Sequence, residues 1–247
     1  MEVLRSKLFS QYQQIVFGMS TRNGGVSAPP YDLNLSISVG DDPDNVRKNR
    51  DRFFGELNID LSRIAFPLQV HSSNVQYVEK PGRYLRTDGL TTDVKELFIV
   101  ITVADCLPVF LFDPKHNVIA GVHAGWKGSS QHITGEMVRF MTDRWNTNPS
   151  DIIAYLGPSA GNCCYEVGEE VANLFQADFV RYHHNGKYLL DIPGVNRAQL
   201  ITAGVRNRNI EHKNECTICN SGRYHSYRRD GKKSGRMMGV MGMRVEF

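Results

Sequence analysis

Apolar residues follow one another along the middle of this chain with little polar interruption. Phe98 to Val103 (FIVITV) is β-rich and almost wholly apolar, as expected of a strand covered on both faces. Leu107 to Phe112 repeats the pattern, and the turn-forming run from Asp113 to Asn117 separates it from a third strand at Val118 to Val122. Ile152 to Leu156 reads as a fourth, ending at Gly157-Pro158, and the C-terminal MMGVMGMRVEF reads as a last strand. Helical spacing marks other stretches. Asp42-Pro43 supplies an N-cap and a proline at the first helical position, and Val46, Phe53, Phe54 and Leu57 follow on one face, which predicts a helix over 43–57. Ile133, Met137, Phe140, Met141 and Trp145 predict a second over 130–145, and shorter helices are expected over 169–175 and 195–205. The segment from Thr21 to Ser36 is rich in turn formers and reads as a long ordered loop. Strands and helices mix without strict alternation, so a mixed-sheet α/β or α+β domain is expected. No linker or internal repeat divides the 247 residues, so one domain spanning 1–247 is expected.

Composition narrows the class. A net charge of +3 is too small for a nucleic-acid polycation, so any anion must be held by a local cluster. No apolar run approaches the roughly 18 residues of a membrane span, and the N-terminus lacks the apolar stretch of a signal peptide. The 5 cysteines are odd in number and two are adjacent, which argues against a disulfide framework and for a reducing compartment. A soluble cytoplasmic protein is expected, without a nucleic-acid, membrane or obligate protein partner.

Three residues stand out chemically. His71 follows an apolar stretch, and Cys106 and His123 each stand at the exit of an apolar strand beside a glycine-rich corner. Two imidazoles and a thiolate suit zinc, and three protein ligands leave the open position of a catalytic site. Each residue also has an ordinary alternative, as a small core cysteine or as a core or surface histidine. Asp105 can orient a ligand, act as a base, or simply cap the turn before Leu107. Between Arg223 and Arg244 stand seven basic residues and one acid, Asp230. Arg228, Arg229 and Arg236, interleaved with Gly231 and Gly235, would suit a phosphate, whose oxygens a guanidinium binds in pairs; a solvated basic hairpin is the alternative. Cys216 and Cys219 form a lone CxxC, read as a structural or incidental pair, with half a zinc site or a redox pair as alternatives.

Taken in order, STRNGGVS, YDLNLS, VGDDPDNVRKNR, QVHSSNV, DGLTT, VADCLPV, AGVHAGWKG, LGPSAGNCCYEVG, CT and SYRRDGKKSGRM resemble the bacterial laccase-domain family from Ser20 to Met238. That family has been described as multicopper polyphenol oxidase-like, as a peptidoglycan editing factor, and as a purine nucleoside phosphorylase with adenosine deaminase activity. The resemblance implies a single α/β domain with mixed sheets flanked by helices. It implies a metal, zinc or alternatively copper, held by His71, Cys106 and His123. A purine nucleoside and phosphate would bind beside it, with Arg22, Asn34, Ser226, Arg228 and Arg229 at matching motif positions. Two positions depart from the family pattern: Lys127 replaces the common arginine, and His225 stands where an aromatic residue is usual. Three activities follow as expectations. They are phosphorolysis of adenosine, inosine, guanosine or methylthioadenosine with deamination of adenosine, copper-dependent phenol oxidation, and a cell-wall editing or cysteine-hydrolase role with Cys106 as nucleophile and His123 as base.

Overall fold

The apolar strands of the sequence stack into two sheets. In the computed structural model, which describes residues 1–245, the first sheet runs Val3–Leu4, Ile15–Ser20, Met237–Met243, Phe98–Val103, Ile64–Leu68, Gly82–Leu85. The second runs Ile210–His212, Ile153–Leu156, Leu107–Asp113, Val118–Ala124, Gly89–Thr92, Val75–Tyr77. Both are mixed. Phe98–Val103 pairs antiparallel with Met237–Met243 and parallel with Ile64–Leu68. A small third sheet joins Glu166–Gly168, Lys187–Leu190 and Val180–Tyr182.

Alternation of side chains assigns each strand to two layers at once. Ile99, Ile101 and Met241 of the first sheet pack with Phe110, Phe112, Ile119 and Tyr155 of the second. On the outer face of the first sheet, Val100, Met238 and Val240 meet Phe53 and Phe54 of the helix Pro43–Gly55. On the outer face of the second, Val109, Leu111, Ala120 and Val122 meet Ile133, Met137 and Met141 of the helix Ile133–Trp145, together with Leu200 of the helix Ile192–Thr202. The molecule is thus one α/β domain of four layers, helix, sheet, sheet and helices. The central strands read as continuous apolar runs because they lie between two buried faces. A Cβ at Gly239 would fall 2.5 Å from Phe110 Cε2, so glycine there permits the two sheets to approach.

The predicted central strands stand where expected, with small shifts at their ends. Asp42 caps the first helix as expected, its side chain accepting from Asp44 N–H. The helix expected over 130–145 starts three residues later, at Ile133, and ends as expected at Trp145. Trp126–Ser130 is one turn of helix, His132 takes a left-handed conformation at φ 61°, and Ile133–Trp145 follows. Asn196 reaches from the neighbouring helix to Ser129 Oγ at 2.8 Å, a tertiary contact that holds the first piece separately. The helix expected over 195–205 begins earlier, at Ile192, because Asp191 caps it and Pro193 fits its first turn. The last strand is Met237–Met243; residues 246 and 247 of that expectation lie outside the described residues.

Candidate functional site

The chain passes from the first sheet to the second at residues 104–106, between Phe98–Val103 and Leu107–Asp113. Cys106 therefore stands at the seam of the two sheets. His123 faces it from the strand Val118–Ala124, in register with Pro108, and lies inside that strand, since the strand runs on beyond residue 122. His71 follows the strand Ile64–Leu68 on a loop and adopts φ 60°. Ligand atoms of His71, Cys106 and His123 all lie within 4.8 Å of one another. The two imidazoles meet edge to face at 4.9 Å between centroids. Gly125 keeps the site clear: a Cβ there would lie 3.0 Å from Cys106 Sγ and 3.2 Å from His71 Cδ2.

Asp88, which the sequence reading passed over inside DGLTT, organises this group. It is fully buried, and its carboxylate accepts from the backbone N–H of Val70, His71 and Ser72 at 3.1, 3.0 and 2.8 Å, and from Ser72 Oγ at 2.8 Å. It also meets His123 Nδ1 at 2.8 Å. With that nitrogen donating to Asp88, the His123 Nε2 lone pair is free for a metal. Burial pushes the Asp88 carboxyl up, but hydrogen bonds from His123 and Ser72 outweigh it and hold the group down at about 2. Burial likewise opposes the Cys106 thiolate, yet the charge and hydrogen bonds of His123, then His71, draw the thiol down to about 6. The reciprocal effect, against burial, raises His123 to about 9. The donor set of a thiolate and two imidazoles, with one ring oriented by a carboxylate, fits a zinc-type centre.

Asp105 sits beside Cys106 with φ 86°, and its carboxylate accepts three hydrogen bonds: from Thr217 Oγ1 at 2.6 Å, Ser226 Oγ at 3.0 Å and Arg228 N at 2.6 Å. Its carboxylate fastens the 217 loop and the basic segment to the Cys106 corner, so its geometry is that of an anchor. Ser226 is buried and caps the short helix Tyr227–Asp230, accepting from Arg229 N.

The two adjacent arginines, equivalent in sequence, separate in space. The Arg229 guanidinium donates to the carbonyls of Thr217, Ile218 and Tyr224 at 2.8, 3.0 and 3.0 Å and to both carboxylate oxygens of Asp230, so its donors are used internally. Arg228 is exposed, lies 4.9 Å over the Tyr165 ring, and among the described residues its side chain donates only to Glu166 O, at 2.9 Å. It borders a cleft of about 260 Å³ lined also by Trp126, Tyr165, Glu170 and Lys187. A second hollow of about 290 Å³, lined by Arg5, Phe9 and Asn58, contains none of the residues singled out in the sequence. Arg236 lies 5.4 Å over Tyr227, gives one guanidinium nitrogen to the carbonyls of Ser234 and Gly235, and feels the charges of Asp105 and Cys106.

Arg22 and Asn34 act within the loop. Arg22 pairs with Asp32 at 2.5 Å and donates to the carbonyls of Pro30 and Ser221. Asn34, wholly buried, accepts from Arg236 N and Ser36 N and donates to Ser36 O and Asp41, so it seats the basic segment on the loop. The CxxC, expected to stand alone, does not: the sulfurs of Cys163, Cys164, Cys216 and Cys219 lie within 4.8 Å of one another. All five cysteines are free. No helix of the described residues is long and apolar enough to cross a membrane.

Comparison with known proteins places these features in context. Residues 16–244 match a family model described as multi-copper polyphenol oxidoreductase laccase. The purine nucleoside phosphorylase YlmD of Bacillus subtilis (strain 168) is 34% identical, over 94% of this chain and 90% of its own. The purine nucleoside phosphorylase YfiH of Escherichia coli (strain K12) is 37% identical, over 88% and 89%. The crystal structure of YlmD from Geobacillus stearothermophilus superposes with a TM-score of 0.93 at 33% identity, covering 99% of this chain and 97% of that one.

Proposed function

Because the chain belongs to the family described as multi-copper polyphenol oxidoreductase laccase, whose relatives above are named purine nucleoside phosphorylases, we propose that it is a zinc-dependent purine nucleoside phosphorylase with adenosine deaminase as a side activity. The observation that carries this reading is the placing of two chemically opposite groups around one corner. Cys106, clustered with His71 and His123, follows Asp105 in the chain, and the Asp105 carboxylate accepts from the backbone N–H of Arg228, whose exposed guanidinium lies over Tyr165. Phosphate attacks the ribose C1′ while the bond from C1′ to the purine nitrogen breaks, so the products are the free base and ribose-1-phosphate.

Arg228 and Arg236 hold and orient the phosphate dianion, each charge-assisted contact contributing about 1.5–3 kcal/mol. Asp105, through Arg228 N and Ser226, fixes the segment that carries them. Trp126 and Tyr165 border the mainly polar cleft in which the nucleoside would lie. A zinc held by His71, Cys106 and His123 supplies Lewis acidity toward a purine or a water, the requirement of a deaminase. Adenosine, inosine, guanosine and methylthioadenosine differ in base or in the 5′ substituent but share a purine ring bonded to C1′, the linkage this site would address. The experiment is incubation of pure protein with adenosine, with and without phosphate. Ribose-1-phosphate formed only with phosphate is expected; equal cleavage without phosphate, giving free ribose, overturns the reading.

A second reading, oxidation of phenols by copper, draws on the His₂Cys donor set, which also suits copper. It predicts oxidation only after copper loading and no phosphate dependence. The depressed Cys106 thiol beside His123 would also serve a cysteine hydrolase. A nucleophile must stay free of metal, so retained activity without metal would favour that case.

A further inference from the structure

Four cysteines far apart in sequence meet beside the candidate cleft. Cys163 and Cys164 stand in a turn closed by Cys164 N–H to Gly161 O at 3.0 Å and Tyr165 N–H to Gly161 O at 2.9 Å. Cys216 and Cys219 stand in a second turn, closed by Asn220 N–H to Cys216 O at 3.1 Å and reinforced by the Asn220 side chain at 2.8 Å. The two turns are laced by a parallel bridge between Ser159 and Cys216 and by Thr217 N–H to Ser159 O at 2.9 Å. Cys219 Sγ lies 2.9 Å from Cys164 Sγ and 3.5 Å from Cys163 Sγ, and all four sulfurs fall within 4.8 Å of one another.

We propose that Cys163, Cys164, Cys216 and Cys219 form a second metal site, a closed tetrathiolate centre that binds zinc and ties the two turns together. Four sulfurs around one zinc, with bonds of about 2.3 Å, stand roughly 3.8 Å apart; the 3.5 Å pair is close to this, the 2.9 Å pair needs only a small outward shift of Cys164 or Cys219, and no pair exceeds 4.8 Å. The surroundings suit a thiolate: Gly161 N–H donates to Cys216 Sγ at 3.3 Å. Gly161 is also the residue that leaves room, since a Cβ there would lie 3.3 Å from Cys216 Cβ and 3.4 Å from Cys163 Sγ. Burial opposes the Cys216 thiolate, but the backbone N–H groups of Cys219 and Gly161 outweigh it and lower its pKa. Without a metal, the thiolate forms of Cys163 and Cys164 are disfavoured. Burial raises Cys163 to about 11, and the hydrogen bond to Cys219, then burial, raises Cys164. A divalent cation overcomes this, because binding displaces each proton and compensates the thiolate charge. Cys163 and Cys219 are exposed, which gives the ion a route in.

The site bears on the cleft through its neighbours. Tyr165, which supports Arg228, follows Cys164 directly. Thr217 and Ile218, between the other two cysteines, hold Asp105 and Arg229. A metal here would fasten the wall that carries the arginines without touching substrate.

This centre is independent of His71, Cys106 and His123, and the test keeps them apart. Cys106→Ala protein, refolded or purified with zinc, should retain about one tightly held zinc per chain. Its cobalt(II) form should show an intense thiolate-to-metal charge-transfer band. Adding Cys216→Ser and Cys219→Ser should abolish that band; metal at the exposed Glu166, His183 and His184 group has no thiolate and cannot produce it. In unsubstituted protein, zinc should protect the four thiols from alkylation, read by peptide mass spectrometry, so the result does not depend on the variants folding. Cys106→Ala protein without zinc or thiolate band overturns the proposal. So does unchanged alkylation on zinc addition, or a metal-free Cys164–Cys219 disulfide in freshly purified protein.

Discussion

Asp88 holds His123 and the His71 loop with a single carboxylate. One oxygen meets His123 Nδ1 at 2.8 Å and His71 N–H at 3.0 Å, and the other takes the N–H groups of Val70 and Ser72. The strand that bears one candidate ligand and the loop that bears the other are thereby placed relative to each other. Asp88→Asn keeps the shape but cannot accept from all of these donors. Its zinc affinity, measured by competition with a chelator, should fall about 10- to 100-fold. Unchanged affinity would show that the carboxylate does not orient the ligands.

Cys106→Ala should remove the metal of the His71 and His123 site and with it nucleoside cleavage. The comparison is zinc content and turnover in Cys106→Ala against Cys106→Ala with the Cys216→Ser and Cys219→Ser changes, so that metal in the second cluster is counted separately. Full turnover by Cys106→Ala would exclude the thiolate as a required ligand.

The two arginines should divide by kind of effect. Arg228→Ala should raise the KM for phosphate about 10- to 100-fold, equivalent to roughly 1.5–3 kcal/mol, with a smaller change in the KM for adenosine. Arg229→Ala strips hydrogen bonds from three backbone carbonyls and Asp230, so it should lower stability by about 1–3 kcal/mol. Steady-state kinetics and urea unfolding of both variants decide; a phosphate KM governed by Arg229 would reverse the assignment.

His225 is buried with neither ring nitrogen hydrogen-bonded among the described residues. Burial, then the positive charge of Arg22, lowers its pKa from 6.5 to about 3. The unfolded chain therefore takes up a proton below pH 6.5 that the folded chain refuses. The folded state keeps its full advantage above pH 6.5 and loses roughly 1.4 kcal/mol per pH unit as pH falls toward 3. His225→Phe should lose this component, so at pH 5 it should gain about 2 kcal/mol on the wild type relative to pH 7. Urea unfolding at the two pH values tests it; parallel pH dependence of both proteins would falsify this.

The sequence determined much of the layer structure. Phe98–Val103, Leu107–Asp113 and Val118–Ala124 are recognisable because strands buried on both faces must be apolar throughout. The helix after Asp42 is recognisable because its cap is local. The short strands Val75–Tyr77, Gly82–Leu85 and Ile210–His212 carry no such pattern, for they lie at or near sheet edges with mixed exposure. The sequence also singled out Cys106 and His123 beside legible apolar strands and His71 after an apolar stretch, and the order of motifs joined the three; the strand that carries the chain to His71, Ile64–Leu68, was not legible.

What the tertiary structure alone decided is which polar groups are spent on one another. Arg228 and Arg229 are neighbours of the same charge, yet Arg229 is spent on the carbonyls of Thr217, Ile218 and Tyr224 and on Asp230, whereas Arg228 stays exposed with one bond to Glu166 O. Asp88 meets His123 across 35 residues, and Cys164 meets Cys219 across 55. Hydrogen bonding and metal ligation act over a few ångströms. Distances along the chain carry no trace of them until two sheets and their connecting turns bring the partners together.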